Sequence, residues 1–206
     1  ACAFFYVLPY EKDEALIEYT VFSQSRSNTI NLDELILPYV HERYELLDFE
    51  PLRKEVGTIP MTTGLIPSNT DRHLRIGLAG NAAKPSSGYA FSNIQRQTAA
   101  IVRSIQDEGI PALPKARSRF QWYDKLMLTV LSEKYASGNE LMWQLLSRNR
   151  PDKVFAFLSE DSFIHQEAKL FTTLPWAPFL KAVFLDWLGT KPLRPVLNPP
   201  QMDQHG

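Results

Sequence analysis

The chain has 206 residues, of which 44% are hydrophobic and 12% aromatic, enough for a sizeable core in one large domain or two small ones. Its formal net charge of -1 gives no indication of binding to nucleic acid or to an anionic membrane surface. Cys2 is the only cysteine, which excludes an intrachain disulfide, and the four histidines have no metal-ligand spacing, so we expect no metal site.

The first two predicted elements form a hairpin. Ala3–Pro9 and Glu14–Ser23 are rich in aromatic and β-branched residues and are separated by a short polar loop. This pattern predicts two antiparallel strands. Because successive side chains of a strand alternate between its faces, Glu18 shares a face with Leu16 and Phe22 and is flanked there by apolar neighbours.

A helix and a further strand are predicted next. The segment 31–34 has capping-box spacing and predicts a helix that ends near Tyr44, with a kink at Pro38. Asp48–Thr62 is strand-like in composition, but its prolines favour an irregular strand or one at a sheet edge. A polar loop is predicted over 67–71.

The segment 74–106 combines a strand, a turn of small residues and a helix. Leu74–Leu78 is a short apolar run that predicts the strand, and the small residues follow it. Apolar residues at helical spacing then predict a helix with one buried face: Ile94, Thr98, Ile101, Val102 and Ile105. Such an arrangement aims free backbone N–H groups at an anion or a polarisable ring. From spacing alone, however, close packing of helix on strand is the favoured interpretation.

The remainder of the chain is predicted to be helical. The segments with helical patterns are Arg117–Tyr135, Asn139–Arg148, Pro151–Leu158, Ser162–Leu170 and Pro178–Leu188. We expect most of their aromatic residues to lie in the core between helices. Leu174–Leu188 is largely apolar but shorter than the ~20 residues that span a bilayer, so core packing is favoured over contact with a membrane interface.

Several blocks, in this order along the chain, resemble the lycopene cyclase family up to about Phe184. They are FFYVLPY (Phe4–Tyr10), LIEYTVFS (Leu16–Ser23), KEVGTIPMT (Lys54–Thr62), KPSSGYAF (Lys84–Phe91), VFAFLSED (Val154–Asp161) and LPWAPFLKAVF (Leu174–Phe184). Within them, Gly80-Asn81-Ala82 with Pro85 and Gly88 resembles the second flavin-contacting segment of large two-domain flavoproteins. Agreement of separate blocks is far more specific than any one of them.

The resemblance implies an α/β fold, α+β over this stretch, that forms part of an FAD-dependent two-domain flavoprotein. An antiparallel substrate-domain sheet would take up residues 1–72, and the last strand and helix of the FAD-binding domain residues 73–112. A C-terminal helical region would follow over 113–190, with a disordered tail over 191–206. Because no G-x-G-x-x-G follows a strand, we expect the dinucleotide fingerprint upstream, and an isolated fragment that is inactive.

The resemblance also implies an activity. Lycopene cyclases close the acyclic ends of lycopene to β-rings, giving γ-carotene and β-carotene, without net redox change. Reduced FAD assists and NAD(P)H keeps it reduced. The expected partners are lycopene and cyclic carotenes, with a membrane surface as a further option and neither nucleic acid nor metal; the expected location is the cytoplasm or the periphery of its membrane. The alternatives are a related flavin-dependent isoprenoid reductase or hydroxylase, and a helical module that binds an apolar ligand without chemistry.

Two carboxylates are candidates for the chemistry. Protonation of an alkene requires a neutral acid in a water-poor pocket. Glu55 matches the family's E-x-G-x-(I/L)-P block and thereby resembles its acid–base residue; without the resemblance it would be an exposed carboxylate beside Arg53. Glu18 matches a second family glutamate. Two interpretations of Glu18 carry similar weight: it positions flavin or stabilises a cation, or it is a hydrogen-bonded structural carboxylate.

The resemblance assigns flavin contact to the small-residue segment, namely Gly80, Asn81, Ala82, Pro85 and Gly88. The alternative for the glycines is close packing of helix on strand. Asn81 stands where the wider flavoproteins have an aspartate that binds the ribityl chain, and its amide could make the same hydrogen bond. Tyr89 and Met61 are assigned to the substrate pocket, although Tyr89 could equally be a core residue.

Overall fold

The structure, a computed structural model, describes residues 2–23, 33–46, 48–64, 73–114 and 117–189. Over these residues the fold is mixed α/β, with a two-stranded antiparallel sheet and seven α-helices. The chain divides into two units. The first comprises Ala1–Thr58 with Ser137–Asn139, and the second comprises Ile59–Ala136 with Glu140–Gly206.

The first unit contains the predicted hairpin. Strands β1 (Cys2–Pro9) and β2 (Ala15–Phe22) pair in antiparallel register. Helix α1 (Asp33–Tyr44) follows and includes Pro38. The ring of Tyr39 on α1 stacks on Phe5 of β1 with 3.8 Å between ring centroids. The predicted hairpin and helix are therefore confirmed, while the proposed capping residues at 31 and 32, like the loop at 67–71, lie outside the described residues.

The strand predicted over Asp48–Thr62 is wrong. The described backbone has no regular secondary structure over this segment, and most of it is exposed. Pro51 and Pro60 have no backbone N–H to donate to a neighbouring strand, and Gly57 weakens strand propensity. The β-like composition of the segment therefore does not lead to a sheet.

The second unit is helical. Its helices are α2 (Phe91–Glu108), α3 (Ser118–Ser132), α4 (Gly138–Ser147, whose first two residues belong to the first unit), α5 (Pro151–Leu158), α6 (Ile164–Phe171) and α7 (Trp176–Trp187). Each predicted helix is present with slightly shifted ends. Helix α7 begins before Pro178, which is tolerated because the N–H groups of a first helical turn have no intrahelical acceptor. The expected tail over 191–206 lies outside the described residues.

The strand predicted at Leu74–Leu78 is also wrong. Gly77–Gly80 forms a short 3₁₀-helix, with Gly77 at φ +59° and Asn81 at φ +60°. The backbone hydrogen bonds of this segment are local, as in the bond from the N–H of Gly80 to the carbonyl of Ile76. Glycines at both ends of the turn allow this tight winding.

Helix α2 is confirmed, but the buried face predicted for it is wrong, because none of its five residues is buried and three are exposed. Val102 and Ile105 are each 49% exposed, whereas Gln97 is 8% exposed. The polar side chain of Gln97 is buried because its amide hydrogen-bonds to the backbone of the neighbouring 3₁₀-helix.

Two apolar clusters hold the helices together. The first joins α3, α4 and α7 through Leu126, Val130, Leu141 and Ala182. The second joins α4, α5 and α6 through Leu145, Val154 and Leu170. Burial of these aliphatic side chains at about 25 cal/mol per Å² is the main source of stability in this unit.

The expectation that most aromatic residues of the helices lie in the core is wrong. Seven of them are largely exposed: Trp122, Trp143, Phe155, Phe163, Trp176, Phe184 and Trp187. Phe120 alone among the candidate rings is fully buried in the described part of the chain. Short helices bury only the stripe that faces a neighbour, so rings elsewhere on their surface stay in contact with solvent.

Candidate functional site

The first half of the small-residue segment is a tightly wound turn. The 3₁₀-helix ends at Asn81, and the N–H of Ala82 donates to the carbonyl of Gly77 at 3.0 Å. A Cβ at Gly80 would lie 2.3 Å from the carbonyl oxygen of Arg75. Only glycine therefore fits at this position without a shift of the backbone.

Gln97 of α2 holds this turn from the side. Its Oε1 accepts from the N–H of Gly77 at 3.0 Å, and its Nε2 donates to the carbonyl of Gly80 at 2.9 Å. Gln97 is not among the site residues predicted from the sequence. The available signal was a glutamine three residues after Ile94 and four before Ile101, on the stripe predicted to be apolar.

The second half of the segment is a loop closed by Lys84. The backbone N–H of Lys84 donates to the carbonyl of Tyr89 at 2.8 Å, and its carbonyl accepts from the N–H of Gly88 at 2.8 Å. Gly88 has φ +73°, in the left-handed region that glycine tolerates best. The hydroxyl of Tyr89 lies 3.2 Å from Oγ of Ser92 at the start of α2.

The side chain of Lys84 points into the helical unit, where it is 1% exposed. Its Nζ lies 2.9 Å from Oδ1 of Asp124 on α3 and 3.6 Å from Oε1 of Glu160. The rings of Phe120 and Phe157 lie 5.2 and 5.6 Å from it. This buried ammonium has ion-pair neighbours but makes no hydrogen bond to them or to any other described residue.

Ser86 is fastened to the same carboxylate. Its hydroxyl donates to Oδ1 of Asp124 at 2.6 Å, and both residues are buried. Asp124 thus holds two residues of the loop at once. These contacts are not predictable from the sequence, because nothing in the spacing of the chain pairs the loop with a particular carboxylate on α3.

The beginning of α2 is held by a third set of polar contacts. Arg96 donates to the carbonyl of Ser159 and to Oδ1 of Asp161, the latter at 3.1 Å, and lies 3.7 Å from Oε2 of Glu160. The hydroxyls of Ser92 and Ser159 lie 3.0 Å apart. These contacts tie the first turns of α2 to the connection between α5 and α6.

A second buried carboxylate, Glu167 on α6, lies in the same unit. It accepts hydrogen bonds from the hydroxyl of Tyr123 at 2.9 Å, from that of Ser162 at 3.0 Å and from Nε of Arg119 at 3.2 Å. Burial, and after it the hydrogen bond to Glu167, raises the pKa of Tyr123 to about 12. The network is fully satisfied, as a structural carboxylate requires.

The flavin contacts assigned to this segment stay a prediction, and its residues differ in what they offer a ligand. Ala82 is buried, whereas the side chain of Asn81 is exposed and has no hydrogen-bond partner among the described residues, which leaves its amide available to a ligand. Gly88 offers backbone without a side chain, whereas the space beside Gly80 is filled by the backbone of Arg75 and the amide of Gln97, which agrees with the packing alternative for this glycine. Helix α2 begins after Ala90 without a side-chain cap, so its first N–H groups are open to a polar ligand.

The two residues assigned to the substrate pocket are half-buried. Tyr89 lies in the loop closed by Lys84, and Met61 lies two residues beyond Ile59. A Cβ at Gly88 would lie 3.9 Å from a methyl carbon of Ile59. The KEVGTIPMT and KPSSGYAF blocks are thus neighbours at this point, while the pocket itself stays a prediction.

The two candidate carboxylates face solvent. The side chain of Glu55 is 73% exposed and pairs with Arg53 at 2.5 Å. Glu18, opposite Tyr6 in the hairpin, is exposed and accepts from the hydroxyl of Thr20 at 2.8 Å. These surroundings are those of the structural alternatives considered for each residue, and the catalytic roles stay predictions.

Over the described residues, no cluster of three or more potential metal-ligating side chains occurs. The described helices also include none with the combined length and hydropathy that crossing a bilayer demands. Helix α7 nevertheless presents an apolar stripe to solvent: Trp176, Leu180, Phe184 and Trp187, exposed by 69, 55, 57 and 80%.

Comparison with known proteins adds one match. The family described as lycopene cyclase protein matches residues 1–183 of the chain. No curated protein and no solved structure matches it. The match includes five of the six blocks on which the resemblance was based, and all but the last residue, Phe184, of the sixth.

Proposed function

The chain belongs to the lycopene cyclase family. From this membership we propose that it is part of a lycopene β-cyclase, an enzyme that converts lycopene to γ-carotene and β-carotene. Membership supports carotenoid cyclisation in general. The observation that carries the proposal of cyclisation is the family match over residues 1–183, together with the order of the separate blocks along the chain.

The proposed cofactor is FAD, kept reduced by NAD(P)H. Bound reduced flavin would supply negative charge and π density beside a carbocation. On this chain, the amide of Asn81 would bind a polar group of the cofactor, and the backbone at Gly88 would allow close approach. Gly80 would contribute by the tight turn that places Asn81. The uncapped start of α2 would add N–H donors and the positive end of the helix dipole.

Glu55 is the proposed acid. A neutral carboxylic acid would protonate the terminal double bond of lycopene, the internal double bond would attack the resulting cation, and loss of a ring proton would complete the β-ring. Such an acid must be shielded from water. Because Glu55 is exposed in this structure, the proposal requires bound ligands to cover it. Glu18 would position flavin or stabilise the cation.

The decisive experiment is pigment analysis. The full-length gene is expressed in a lycopene-producing cell, and the extracted carotenoids are separated by chromatography. We expect lycopene to be replaced by carotenes with one and two β-rings. Glu55→Gln should abolish this conversion while FAD stays bound, whereas Glu50→Gln, which changes an exposed carboxylate of the same segment, should not.

Each alternative predicts a different outcome. Unchanged lycopene with the wild-type gene would favour a binding module without chemistry. NAD(P)H consumed in proportion to product would identify a flavin-dependent isoprenoid reductase or hydroxylase instead. Near-normal cyclisation by Glu55→Gln would limit Glu55 to a structural role.

We further propose cytoplasmic location with peripheral contact to the membrane, because a C40 hydrocarbon substrate resides in a bilayer. The apolar stripe of α7 supports this, since exposed tryptophan and phenylalanine on one helix are typical of interfacial helices. Trp176→Ser with Trp187→Ser should weaken co-sedimentation of the full-length enzyme with phosphatidylcholine vesicles. Trp122→Ser on α3 is the matched control and should bind as wild type does; equal binding by all three would contradict the assignment of α7.

A further inference from the structure

The buried ammonium of Lys84 has no part in the chemistry proposed above. We propose that Lys84 is a positioning residue that fixes the cofactor-contacting segment on the helical unit through Asp124. This inference rests on the proposed use of FAD. Lys84 does not touch the reacting atoms in this account; it acts through the backbone of the loop that carries Gly88.

The surroundings of Lys84 are unusual for a lysine, because the whole side chain is buried and Asp124 beside it is buried too. Transfer of both charges out of water costs more than one unoptimised ion pair returns, and apolar side chains of similar volume would serve stability at least as well. Nζ also has no hydrogen-bond partner in the described part of the chain. The pair is therefore better explained by its effect on position, because it holds the loop that contains Lys84 at one place on α3.

That placement extends to the cofactor segment through the backbone. Lys84 bonds to Gly88 and to Tyr89 by its own carbonyl and N–H, and Ser86 between them is held by the same Asp124 oxygen. A shift of Lys84 therefore moves Gly88 and Tyr89 with it. Gln97 fixes the other half of the segment independently, so the effect of Lys84 should be confined to the half that contains Gly88.

The primary test compares Lys84→Met with Lys153→Met in the full-length enzyme. Methionine keeps the length and volume of the side chain but removes the charge. Lys153 has the same chemistry in an exposed pair with Asp152 at 3.5 Å. We expect the Kd for FAD to rise at least about tenfold in Lys84→Met and to stay unchanged in Lys153→Met.

A spectroscopic measurement separates positioning from loss of stability. At saturating FAD, the visible absorption and fluorescence of bound flavin should differ between Lys84→Met and wild type. The double variant Lys84→Met with Asp124→Leu removes both buried charges and should recover the unfolding midpoint of the wild type. It should not recover the flavin spectrum or affinity, because both loop anchors are gone.

Ser86→Ala provides a milder variant should Lys84→Met fail to accumulate. It removes one hydrogen bond to Asp124 and leaves the ion pair, so we expect a rise of about threefold in the Kd for FAD with an intermediate change in spectrum. Wild-type affinity and an unchanged spectrum in the double variant or in Lys84→Met would overturn the proposal.

The two proposals fail in different ways. If wild type and Lys153→Met neither bind FAD nor convert lycopene, the proposed function falls and this inference falls with it. If both bind FAD and convert lycopene, and Lys84→Met does so equally well, only the positioning role is overturned.

Discussion

Two polar side chains from family blocks have opposite surroundings. Lys84, in KPSSGYAF, is 1% exposed and lies among two carboxylates and two aromatic rings. Glu55, in KEVGTIPMT, is 73% exposed and pairs only with its sequence neighbour Arg53 in the described part of the chain. The charge that shapes the loop is enclosed by the chain itself, whereas the proposed proton donor would be enclosed by its ligands.

This difference indicates that the environment of Lys84 is formed by the folded chain, whereas that of Glu55 would be formed by bound ligands. A buried lysine interacts with protein neighbours, so its removal should lower the free energy of unfolding whether or not ligands are bound. An exposed carboxylate has little influence on folding. If Glu55 is the acid, it can act only in the enzyme with flavin and substrate bound, because these ligands must exclude water for the carboxyl group to stay neutral.

Asp124→Asn should have the largest effect on stability. Loss of the carboxylate leaves the buried ammonium of Lys84 without its closest counter-charge, which lies at 2.9 Å. We expect the free energy of unfolding to fall by about 3 to 5 kcal/mol, measured by urea denaturation. Asp152→Asn, in an exposed pair with Arg150, should leave the free energy of unfolding nearly unchanged because water screens this pair. Equal losses in the two variants would contradict the difference predicted between buried and exposed charges.

Tyr123→Phe should have an intermediate effect. It removes a hydrogen bond to the buried carboxylate of Glu167, worth about 1.5 to 3 kcal/mol. The pKa of Tyr123 is raised in the folded state from 10.0 to about 12, so folding favours its neutral form. Its contribution to stability is therefore full below pH 10 and is lost as the pH rises through about 12.

Urea midpoints measured across alkaline pH check this prediction. The wild type should lose stability over that range more steeply than Tyr123→Phe. Tyr10→Phe changes a tyrosine that is 58% exposed and should keep the wild-type slope. A slope that is the same in all three proteins would contradict the coupling of Tyr123 to Glu167.

Glu55→Gln should have the smallest effect on stability. The side chain is exposed and its ion pair with Arg53 is local, so the free energy of unfolding should change by less than about 0.5 kcal/mol. The same urea series measures it. A loss above about 1 kcal/mol would mean that Glu55 has a structural role, and a loss of cyclisation in this variant could then no longer be attributed to proton transfer.

The local elements of this protein follow from its sequence. The hairpin is encoded by two runs rich in aromatic and β-branched residues and by the short polar loop between them. The helices from α3 to α7 are encoded by apolar periodicity of 3.6, and α5 begins at Pro151 as expected. These patterns act over a few residues, so they could be predicted without knowledge of the neighbours.

The incorrect predictions concern segments whose secondary structure or burial depends on neighbouring segments. Leu74–Leu78 has the composition of a strand, but a strand needs a partner, and Gly77 and Gly80 let the chain wind into a 3₁₀-helix instead. The strand predicted over Asp48–Thr62 is absent for a similar reason, because its prolines have no N–H groups to donate to a neighbouring strand. Gln97 is buried because an adjacent turn needs both ends of its amide.

The sequence by itself determined the family, the hairpin, the helices and the small-residue segment, since each is written in residue types at short spacing. The tertiary structure alone decided that Lys84 and Ser86 share Asp124, and that Glu55 is open to solvent. Burial and ion pairing depend on which distant elements pack against a side chain, and no local pattern specifies that choice.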